Sequence, residues 1–346
     1  MIRLFPLLYS LVLLLRVYSK SNSLRPLFKF GIIADVQYAD STDIPAFNGG
    51  MRRYKQSLRI FEEAVNSWPK DISCAVCLGD QLDGKTASTQ TQSSCLSELL
   101  SIANTLQAPL HYCFGNHDYY TFNRTSLHKH FIPPMSSSIG GACSPDKLYY
   151  DWAPFPGWRF VLLDSYDVSL IGSSSLEHLD LAKAILKDNN PNDLSVGGGW
   201  FNNLPRDRYR YVPYNGAISQ LQLSWLRSVL SKAEERNEKV VFFCHQPIYS
   251  PNKPQSVVWN SEEILEIVHS FKNTFMWIAG HDHGGQYVKD VYGLHHVVPP
   301  APLECDEGGT AYGHIDVFED KFVLNWTGKG PDSRSILPWP TTMNFR

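Results

Sequence analysis

Residues 109–118 read PLHYCFGNHD, an apolar run that stops at a glycine and is followed by Asn116, His117 and Asp118. The same change from apolar to polar residues recurs along the chain. The other runs span 28–34, 72–78, 160–163, 240–244 and 275–279, and they are followed by Asp35, Gly79-Asp80, Asp164, His245 and Gly280-His281. Short apolar runs that end at turn residues are typical of buried strands. The sequence therefore predicts strands with polar residues at their carboxyl ends.

Amphipathic stretches lie between these predicted strands. Residues 54–68, 94–106 and 219–230 place apolar side chains at helical spacing. Strands that alternate with helices indicate βαβ units, so the predicted fold class is α/β. Ligands of such sheets gather at the carboxyl ends of the strands, so the polar residues should share one cleft. The runs 295–298, 311–318 and 321–326 have no helix between them and are predicted to complete a second sheet.

The composition is that of a globular protein, with 346 residues, 43% of them hydrophobic, and a formal net charge of −3. No linker is apparent, so we predict one domain over residues 25–346 that acts as a monomer. Residues 167–213 are polar and rich in Asn, Gly and Arg, which favours a cap-like insertion. The weakly acidic charge gives no electrostatic footprint for nucleic acid or an anionic membrane, so an anionic substrate would have to meet local positive charge or a metal.

Residues 1–24 form a hydrophobic N-terminal segment, in which the apolar stretch 4–15 follows Arg3. The stretch is short for a membrane-spanning helix and about right for a signal peptide, so this segment is a possible signal or anchor. A signal would imply a secretory or organellar location, and only an uncleaved anchor would imply a membrane. The seven cysteines lack the spacing of a disulfide framework and predict reduced thiols. Localisation therefore stays open.

Five polar clusters contain the side chains that could carry chemistry. They are Asp35-Val36-Gln37, Gly79-Asp80-Gln81, Gly115-Asn116-His117-Asp118, Cys244-His245 and Gly280-His281-Asp282-His283. A single histidine at a strand end is more often an ordinary hydrogen-bonded residue than a ligand. Five clusters in one order offer carboxylate, amide and imidazole donors together, which is the set that first-row divalent metals bind. The clusters therefore predict a metal site.

The five clusters resemble the signature of the calcineurin-like metallophosphoesterases, which runs Asp-x-His, Gly-Asp, Gly-Asn-His-Asp, His and Gly-His-x-His. The resemblance covers about residues 30–317 and departs at Gln37, where the family has a histidine. Glutamine at this position is a feature of one subgroup, the manganese-dependent ADP-ribose/CDP-alcohol diphosphatases. The chain is also similar to that subgroup at 50–54, 190–192, 214–220 and 223–226.

The resemblance implies a two-sheet α/β sandwich flanked by helices, with a dinuclear metal site at the carboxyl ends of the strands. The two implied ligand sets share Asp80 as a bridge: Asp35, Gln37, Asp80 and His283 for one metal, and Asp80, Asn116, His245 and His281 for the other. Two metals ~3.5 to 4 Å apart can lower the pKa of a shared water towards ~7. The amide oxygen of Gln37 favours hard cations, so we expect two divalent ions, with Mn²⁺ preferred and Mg²⁺ possible.

The reaction implied by the resemblance is hydrolysis of a pyrophosphate bond by a cytoplasmic enzyme. ADP-ribose would give AMP and ribose 5-phosphate, and CDP-alcohols such as CDP-choline or CDP-glycerol would give CMP and a phosphoalcohol. Two alternatives remain open. The same metal core could serve a phosphomonoesterase or a cyclic-nucleotide phosphodiesterase, since a fold does not fix specificity. A non-catalytic scaffold is the other alternative, and it would be expected to have lost ligands or His117.

His117 and Asp118 are the predicted catalytic residues. His117 follows the implied ligand Asn116, so we expect its imidazole to face the phosphate and to stabilise or protonate the leaving oxygen. Asp118 is expected to hold the tautomer of His117, and the alternative is that it caps the following segment. A nucleotide also needs a slot for its base and cations for its second phosphate. The candidates for these roles are Phe47, Arg52, Arg53, Tyr54 and Asn215. The alternative is ordinary packing for Phe47 and Tyr54 and a solvated face for the two arginines.

Overall fold

The computed structural model of the protein describes residues 25–46, 49–132, 143–330 and 334–338. The hydrophobic segment 1–24 and the predicted substrate residue Phe47 lie outside these ranges. Among the residues described, no helix is both long enough and apolar enough to cross a membrane. All seven cysteines lie within the described ranges as free thiols, as their spacing predicts.

The strands are short, and most of them coincide with the predicted apolar runs. In chain order they are β1 (Phe28–Ile33), β2 (Ile44–Pro45), β3 (Met51–Arg52), β4 (Cys74–Cys77), β5 (Leu110–Tyr112), β6 (Tyr150–Trp152), β7 (Trp158–Leu162), β8 (Val168–Ser169), β9 (Gly216–Ala217), β10 (Lys239–Cys244), β11 (Thr274–Ala279), β12 (Gln286–Lys289), β13 (His295–Val298), β14 (Ala311–Val317), β15 (Lys321–Gly328) and β16 (Arg334–Pro338).

The helices include those predicted from helical spacing, together with shorter ones that the sequence did not indicate. In chain order they are α1 (Tyr54–Ser67), α2 (Lys85–Thr89), α3 (Gln92–Ala103), α4 (Asn116–Thr121), α5 (Arg124–Phe131), α6 (Leu176–Asn189), α7 (Gln220–Glu235) and α8 (Ser261–His269). The missed helices α2, α4, α5 and α8 are five to nine residues long. Such short helices give too few turns for a clear apolar period.

Two six-stranded sheets form the centre of the molecule. The first has the order β16-β15-β14-β1-β4-β5, and the second has the order β12-β13-β11-β10-β7-β6. In the first sheet β1, β4 and β5 are parallel, and in the second β7, β10, β11 and β13 are parallel. The carboxyl ends of parallel strands lie at one edge of a sheet, so the polar residues after these strands are brought to the same side.

Buried side chains hold the two sheets face to face. The rings of Phe30, Phe160 and Phe243 lie between the sheets, with centroids 4.9 to 5.9 Å apart. Side chains alternate along each strand, so Val240 and Phe242 of β10 face the other way, towards α7 and α8. Helices α1 and α3 cover the outer face of the first sheet in the same manner. The predicted two-sheet sandwich flanked by helices is therefore confirmed.

The prediction that the three C-terminal strands complete a second sheet is right for β13 and wrong for the other two. β13 pairs in parallel with β11 in the second sheet. β14 pairs with β1, and β15 with β14, both antiparallel, in the first sheet. An apolar run predicts that a strand exists but contains no information about its partner, so this assignment could not follow from the sequence pattern.

Residues 167–213, which we call the cap segment, are anchored beside the carboxyl end of β7. The strands β8 and β9 pair antiparallel near its two ends, with Val168 opposite Ala217 and Ser169 opposite Gly216. Arg124 of α5 donates to the carbonyl of Gly172 at 2.7 Å, which ties the start of the cap segment to the body of the protein. Because α5 directly follows α4, the cap segment lies close to the residues at the start of α4.

Candidate metal and phosphate site

The seven predicted ligands are brought together by turns at the carboxyl ends of five strands. Asp35 and Gln37 follow β1, Asp80 follows β4, and Asn116 follows β5. In the second sheet His245 follows β10, and both His281 and His283 follow β11. Asp35, Gln37 and His245 are completely buried. Polar side chains are buried at this density only where they have partners or bind a ligand.

Four of these residues have a left-handed backbone conformation. The φ angles are 50° for Asp35, 43° for Gln37, 56° for Asp80 and 68° for His281. A positive φ is unfavourable for residues with a side chain, and such strain is concentrated at functional sites. The turns therefore aim the side chains inward at a conformational cost, as is typical of functional sites.

Two glycines allow the strand ends to approach each other closely. A Cβ atom at Gly115 would lie 2.1 Å from Asp80 Oδ1 and 2.5 Å from a ring carbon of His245. A Cβ atom at Gly79, where φ is +98°, would lie 2.2 Å from His245 Nδ1. All three distances are far below van der Waals contact, so the Gly-Asp and Gly-Asn-His-Asp motifs require glycine on steric grounds.

The two central carboxylates are held by the main chain. Asp35 accepts from the amide of His281 at 3.0 and 3.1 Å, and Asp80 Oδ1 accepts from the amide of His117 at 2.8 Å. Burial raises the pKa of Asp35 to about 7, although His283 partly offsets this. Burial, Asp118 and Asp35 raise the pKa of Asp80 well above its ordinary value. Carboxylates crowded in this way need a cation to remain ionised.

The amide of Gln37 lies between the central carboxylate Asp80 and the imidazole of His283. Gln37 Nε2 is 2.9 Å from Asp80 Oδ2 and 2.9 Å from His283 Nε2. Gln37 Oε1 is buried and has no hydrogen-bond partner. An orphaned buried oxygen is costly, and the two ends of an amide exchange by a half turn. The residue can therefore present its oxygen to a cation at this place.

His245 and His281 direct lone pairs at each other. His245 Nδ1 is 2.8 Å from the carbonyl of Leu78, which only accepts, so the proton is on Nδ1 and the lone pair on Nε2. His281 Nε2 is 2.8 Å from Asn215 Oδ1, and this bond leaves the lone pair on His281 Nδ1. The two lone-pair nitrogens, His245 Nε2 and His281 Nδ1, are 3.1 Å apart. Neither can donate to the other, so the pair fits a cation between them.

Both of these imidazoles are neutral. Burial lowers the pKa of His245 to about 3, and burial also lowers the pKa of His281 well below its ordinary value. A proton is therefore a poor candidate for the cation between them. Neutral imidazole nitrogens are good ligands for divalent transition metals.

His283 is oriented by Glu304, a residue that the sequence did not single out. His283 Nδ1 is 2.7 Å from Glu304 Oε1, so Nδ1 donates and Nε2 carries the lone pair. Burial lowers the pKa of His283, but the Glu304 hydrogen bond and the Asp35 charge raise it above its ordinary value overall. Glu304 belongs to the 3₁₀ turn Pro302–Glu304 after β13, outside the five clusters. Nothing in its sequence neighbourhood indicated this contact.

The donor set as a whole fits divalent cations. Asp35, Asp80 and His245 each offer one ligand atom, and these three atoms lie within 4.8 Å of one another. Within the part of the chain that the structure describes, this is the one group of histidine, cysteine and acidic side chains that meets this criterion. Asn116 lies beside the group as the first residue of α4, where its Oδ1 accepts from the Tyr166 hydroxyl at 3.4 Å.

The ring of His117 lies beside Asp83 rather than Asp118. His117 Nδ1 accepts from the Gly84 amide at 3.0 Å and lies 3.3 Å from Asp83 Oδ2. The Gly84 bond leaves the proton of the neutral ring on Nε2. Burial lowers the pKa of His117 well below its ordinary value, so the ring is neutral. Asp83 also accepts from Arg52 Nη1 at 3.0 Å, so its carboxylate lies between the guanidinium of Arg52 and the ring of His117.

The prediction that Asp118 holds the tautomer of His117 is wrong. Both oxygens of Asp118 accept from backbone amides, at 2.8 Å from Asp80, 2.9 Å from Gln81 and 2.9 Å from Gly115. The last of these bonds caps the start of α4, so the alternative reading of Asp118 as a capping residue is correct. Asp118 joins the turn after β4 to the turn after β5, and the predicted catalytic residue His117 directly follows the latter turn in α4.

The predicted substrate residues have other partners. Tyr54 and Asn215 are completely buried, so neither offers a surface to a base, and their predicted contact with substrate is wrong in this conformation. Arg53 donates to the carbonyl of Cys305 at 2.8 Å. Arg52 is partly exposed while it contacts Asp83, which lies beside His117, so Arg52 keeps exposed surface near His117. The sequence placed these residues near the site but could not indicate which way they point.

The strand-end donors and the sandwich together define a metal-dependent phosphoesterase. A family model described as calcineurin-like phosphoesterase matches residues 28–285, and the chain belongs to that family. It is 35% identical over 328 residues to a manganese-dependent ADP-ribose/CDP-alcohol diphosphatase of Mus musculus, covering 91% of this chain and 94% of the relative. A relative of the same name from Oryza sativa subsp. japonica is 35% identical, covering 90% and 95%.

A solved structure extends this similarity to the fold. A dimetal phosphatase from Danio rerio superimposes with a TM-score of 0.81 at 30% sequence identity, covering 91% of this chain and 100% of that chain. The family membership and the fold class expected from the five clusters are both confirmed.

Proposed function

We propose that this protein is a manganese-dependent hydrolase of the pyrophosphate bond in ADP-ribose and CDP-alcohols. ADP-ribose would yield AMP and ribose 5-phosphate, and CDP-choline or CDP-glycerol would yield CMP and a phosphoalcohol. One observation carries the proposal: the lone pairs of His245 and His281 face each other 3.1 Å apart beside two buried carboxylates. The similarity to relatives that are named for this activity supports the choice of substrate.

The proposal assigns two divalent cations to the strand ends. Asp80 would be shared, and the remaining ligands divide between the two positions: Asp35, Gln37 and His283 at one, and Asn116, His245 and His281 at the other. The bound cations supply an activated water and Lewis-acid stabilisation of the phosphoryl oxygens. Oxygen donors predominate at the first position, which favours Mn²⁺ or Mg²⁺.

His117 has the catalytic role in this proposal. Its neutral ring carries the proton on Nε2 and is a hydrogen-bond donor there. The neutral ring can stabilise charge on the phosphoryl group by donating a hydrogen bond from Nε2. To protonate the leaving oxygen, the ring would first take up a second proton from solvent at Nδ1 and then pass on the Nε2 proton, which leaves the ring neutral again. Asp83 Oδ2 is 3.3 Å from Nδ1, where its carboxylate would stabilise the positive charge of the doubly protonated ring.

The proposal also includes candidates for binding the second phosphate and the base. Arg52 is the residue of the predicted substrate group that remains partly exposed near His117, and Phe47 remains a predicted contact for the base. We further propose that residues 25–346 act as a single-domain monomer covered by the cap segment, without a nucleic-acid partner. We propose a cytoplasmic location by resemblance to the family, and a cleaved signal in residues 1–24 would instead direct the chain to a secretory or organellar compartment.

Turnover of ADP-ribose, CDP-choline and a phosphomonoester in the presence of Mn²⁺, with the products identified, tests the proposal. AMP and CMP should form from the two pyrophosphates, and the phosphomonoester should be a poor substrate. The Asp80→Asn variant serves as the control for contaminating activity. Preferential cleavage of the phosphomonoester would exclude the diphosphatase assignment, and inactivity with every substrate and divalent metal would favour a scaffold.

A further inference from the structure

Asn215 lies at the C-terminal base of the cap segment, directly before β9, and no part of its side chain is exposed. Its Oδ1 accepts from His281 Nε2 at 2.8 Å and from Gln246 Nε2 at 2.7 Å. Its Nδ2 donates to the carbonyls of Arg210 and Gln255, each at 2.8 Å. Every hydrogen-bonding atom of the amide is therefore engaged, and the residue belongs to a network rather than to a cleft.

The network allows only one orientation of the Asn215 amide. The carbonyls of Arg210 and Gln255 can only accept, so the NH₂ group must face them. Gln246 is fixed in the same way, because its Oε1 accepts from the Gly216 amide at 3.1 Å and its NH₂ group must then face Asn215. The oxygen of Asn215 is consequently locked towards His281.

A locked acceptor decides the tautomer of His281. His281 Nε2 must carry the proton, and Nδ1 must carry the lone pair that faces His245 Nε2 at 3.1 Å. In the other tautomer, His281 Nδ1 would donate to His245 Nε2. That hydrogen bond would occupy both nitrogens and close the space between them to a cation.

We infer that Asn215 is a positioning residue, which holds His281 in its metal-binding tautomer and ties that tautomer to the base of the cap segment. The inference rests on the proposed role of His281 as a metal ligand. Partners that fix the far nitrogen of a ligating histidine typically change metal affinity by about 10- to 100-fold when they are removed. Asn215 differs from such partners elsewhere in the site, because it is a neutral amide that is itself locked by main-chain carbonyls.

Three substitutions in the full chain separate positioning from simple packing. Asn215→Leu removes the acceptor, whereas Asn215→Asp keeps an acceptor oxygen towards His281 and loses the donor towards Arg210 and Gln255. Gln222→Leu is the matched control. Gln222 is equally buried, and its amide contacts the main chain of Asp164 at 2.9 and 3.0 Å, but it touches none of the proposed ligands.

The measurement is calorimetric titration of each metal-free variant with Mn²⁺, with circular dichroism to verify folding. Asn215→Leu should bind Mn²⁺ about 10- to 100-fold more weakly than the unsubstituted chain, and Asn215→Asp should recover most of this loss. Gln222→Leu should lower the unfolding temperature without changing the affinity. If Asn215→Leu fails to fold, Asn215→Ala takes its place, because it also removes the acceptor towards His281 and should show the same loss of affinity.

Two other outcomes contradict the inference, and they differ from each other. Equal Mn²⁺ affinity in a folded Asn215→Leu variant and the unsubstituted chain would overturn the role of Asn215 and leave the proposed function intact. Absence of Mn²⁺ binding by the unsubstituted chain would overturn the proposed metal site, and the inference would fall with it.

Discussion

The carboxylates and the imidazoles of this site are held by different means. The acidic residues Asp35, Asp80 and Asp118 accept hydrogen bonds from backbone amides of neighbouring strand-end turns. Two of the three imidazoles are instead oriented by single side chains from distant segments, Asn215 for His281 and Glu304 for His283. The orientation of the acidic residues therefore depends on turn geometry, and the orientation of these two histidines depends on particular partner side chains.

Loss of the shared carboxylate is expected to have the largest effect. Asp80→Asn keeps the volume and the bond to the His117 amide but removes the charge that faces both proposed cations. Loss of several kcal/mol of charge stabilisation corresponds to a fall in turnover of about 10³-fold. Metal content by mass spectrometry and turnover would be measured beside Asp188→Asn, an exposed residue of α6. Full activity of Asp80→Asn would rule out a bridging role.

Removal of His117 should separate catalysis from metal binding. His117→Ala should leave the metal content near normal and reduce turnover by about 10²-fold or more, because a general acid is lost. The exposed His130→Ala serves as the control for loss of a histidine on a nearby helix. An unchanged turnover rate would mean that protonation and charge stabilisation come from another group.

Loss of Glu304, the hydrogen-bond partner of His283, should lower the affinity of the site for Mn²⁺. Glu304→Leu leaves the Nδ1–H of His283 without its acceptor, so Mn²⁺ affinity should fall by about 10- to 100-fold. Glu304→Gln retains an acceptor oxygen and should recover much of this loss, and Glu307→Leu, an exposed neighbour, should have no effect. Titration with Mn²⁺ measures all three. Equal affinities in all three variants would show that His283 needs no partner.

Substitution of Asp118, whose oxygens accept from backbone amides, should lower the stability of the fold. Asp118→Asn replaces one acceptor with an NH₂ group that faces backbone amides, and each unsatisfied buried group costs about 1 to 3 kcal/mol. The free energy of unfolding in urea should therefore fall by about 2 kcal/mol, whereas Asp193→Asn on the exposed cap surface should change it by less than about 0.5 kcal/mol. If Asp118→Asn lost much of its metal affinity and none of its stability, the proposed difference between the acidic residues and the histidines would be contradicted.

The same distinction explains what the sequence could predict. The ligands and the sandwich follow from apolar runs that end in short polar motifs, because strand, turn and ligand are adjacent in the chain. Other features could not be predicted, because they depend on contacts between residues that are far apart in sequence. These are the contacts of His117 with Asp83, His281 with Asn215 and His283 with Glu304. Side-chain direction is set by tertiary packing, so residue spacing alone assigned Asp118, Tyr54 and Asn215 wrongly.

Diffraction from crystals soaked in Mn²⁺, recorded at the manganese absorption edge, tests the account most directly. The account predicts two anomalous peaks ~3.5 to 4 Å apart, with Asp80 between them and the lone pairs of His245, His281 and His283 directed at them. A single peak, or peaks remote from Asp80, would contradict the proposal that these strand ends hold a pair of cations.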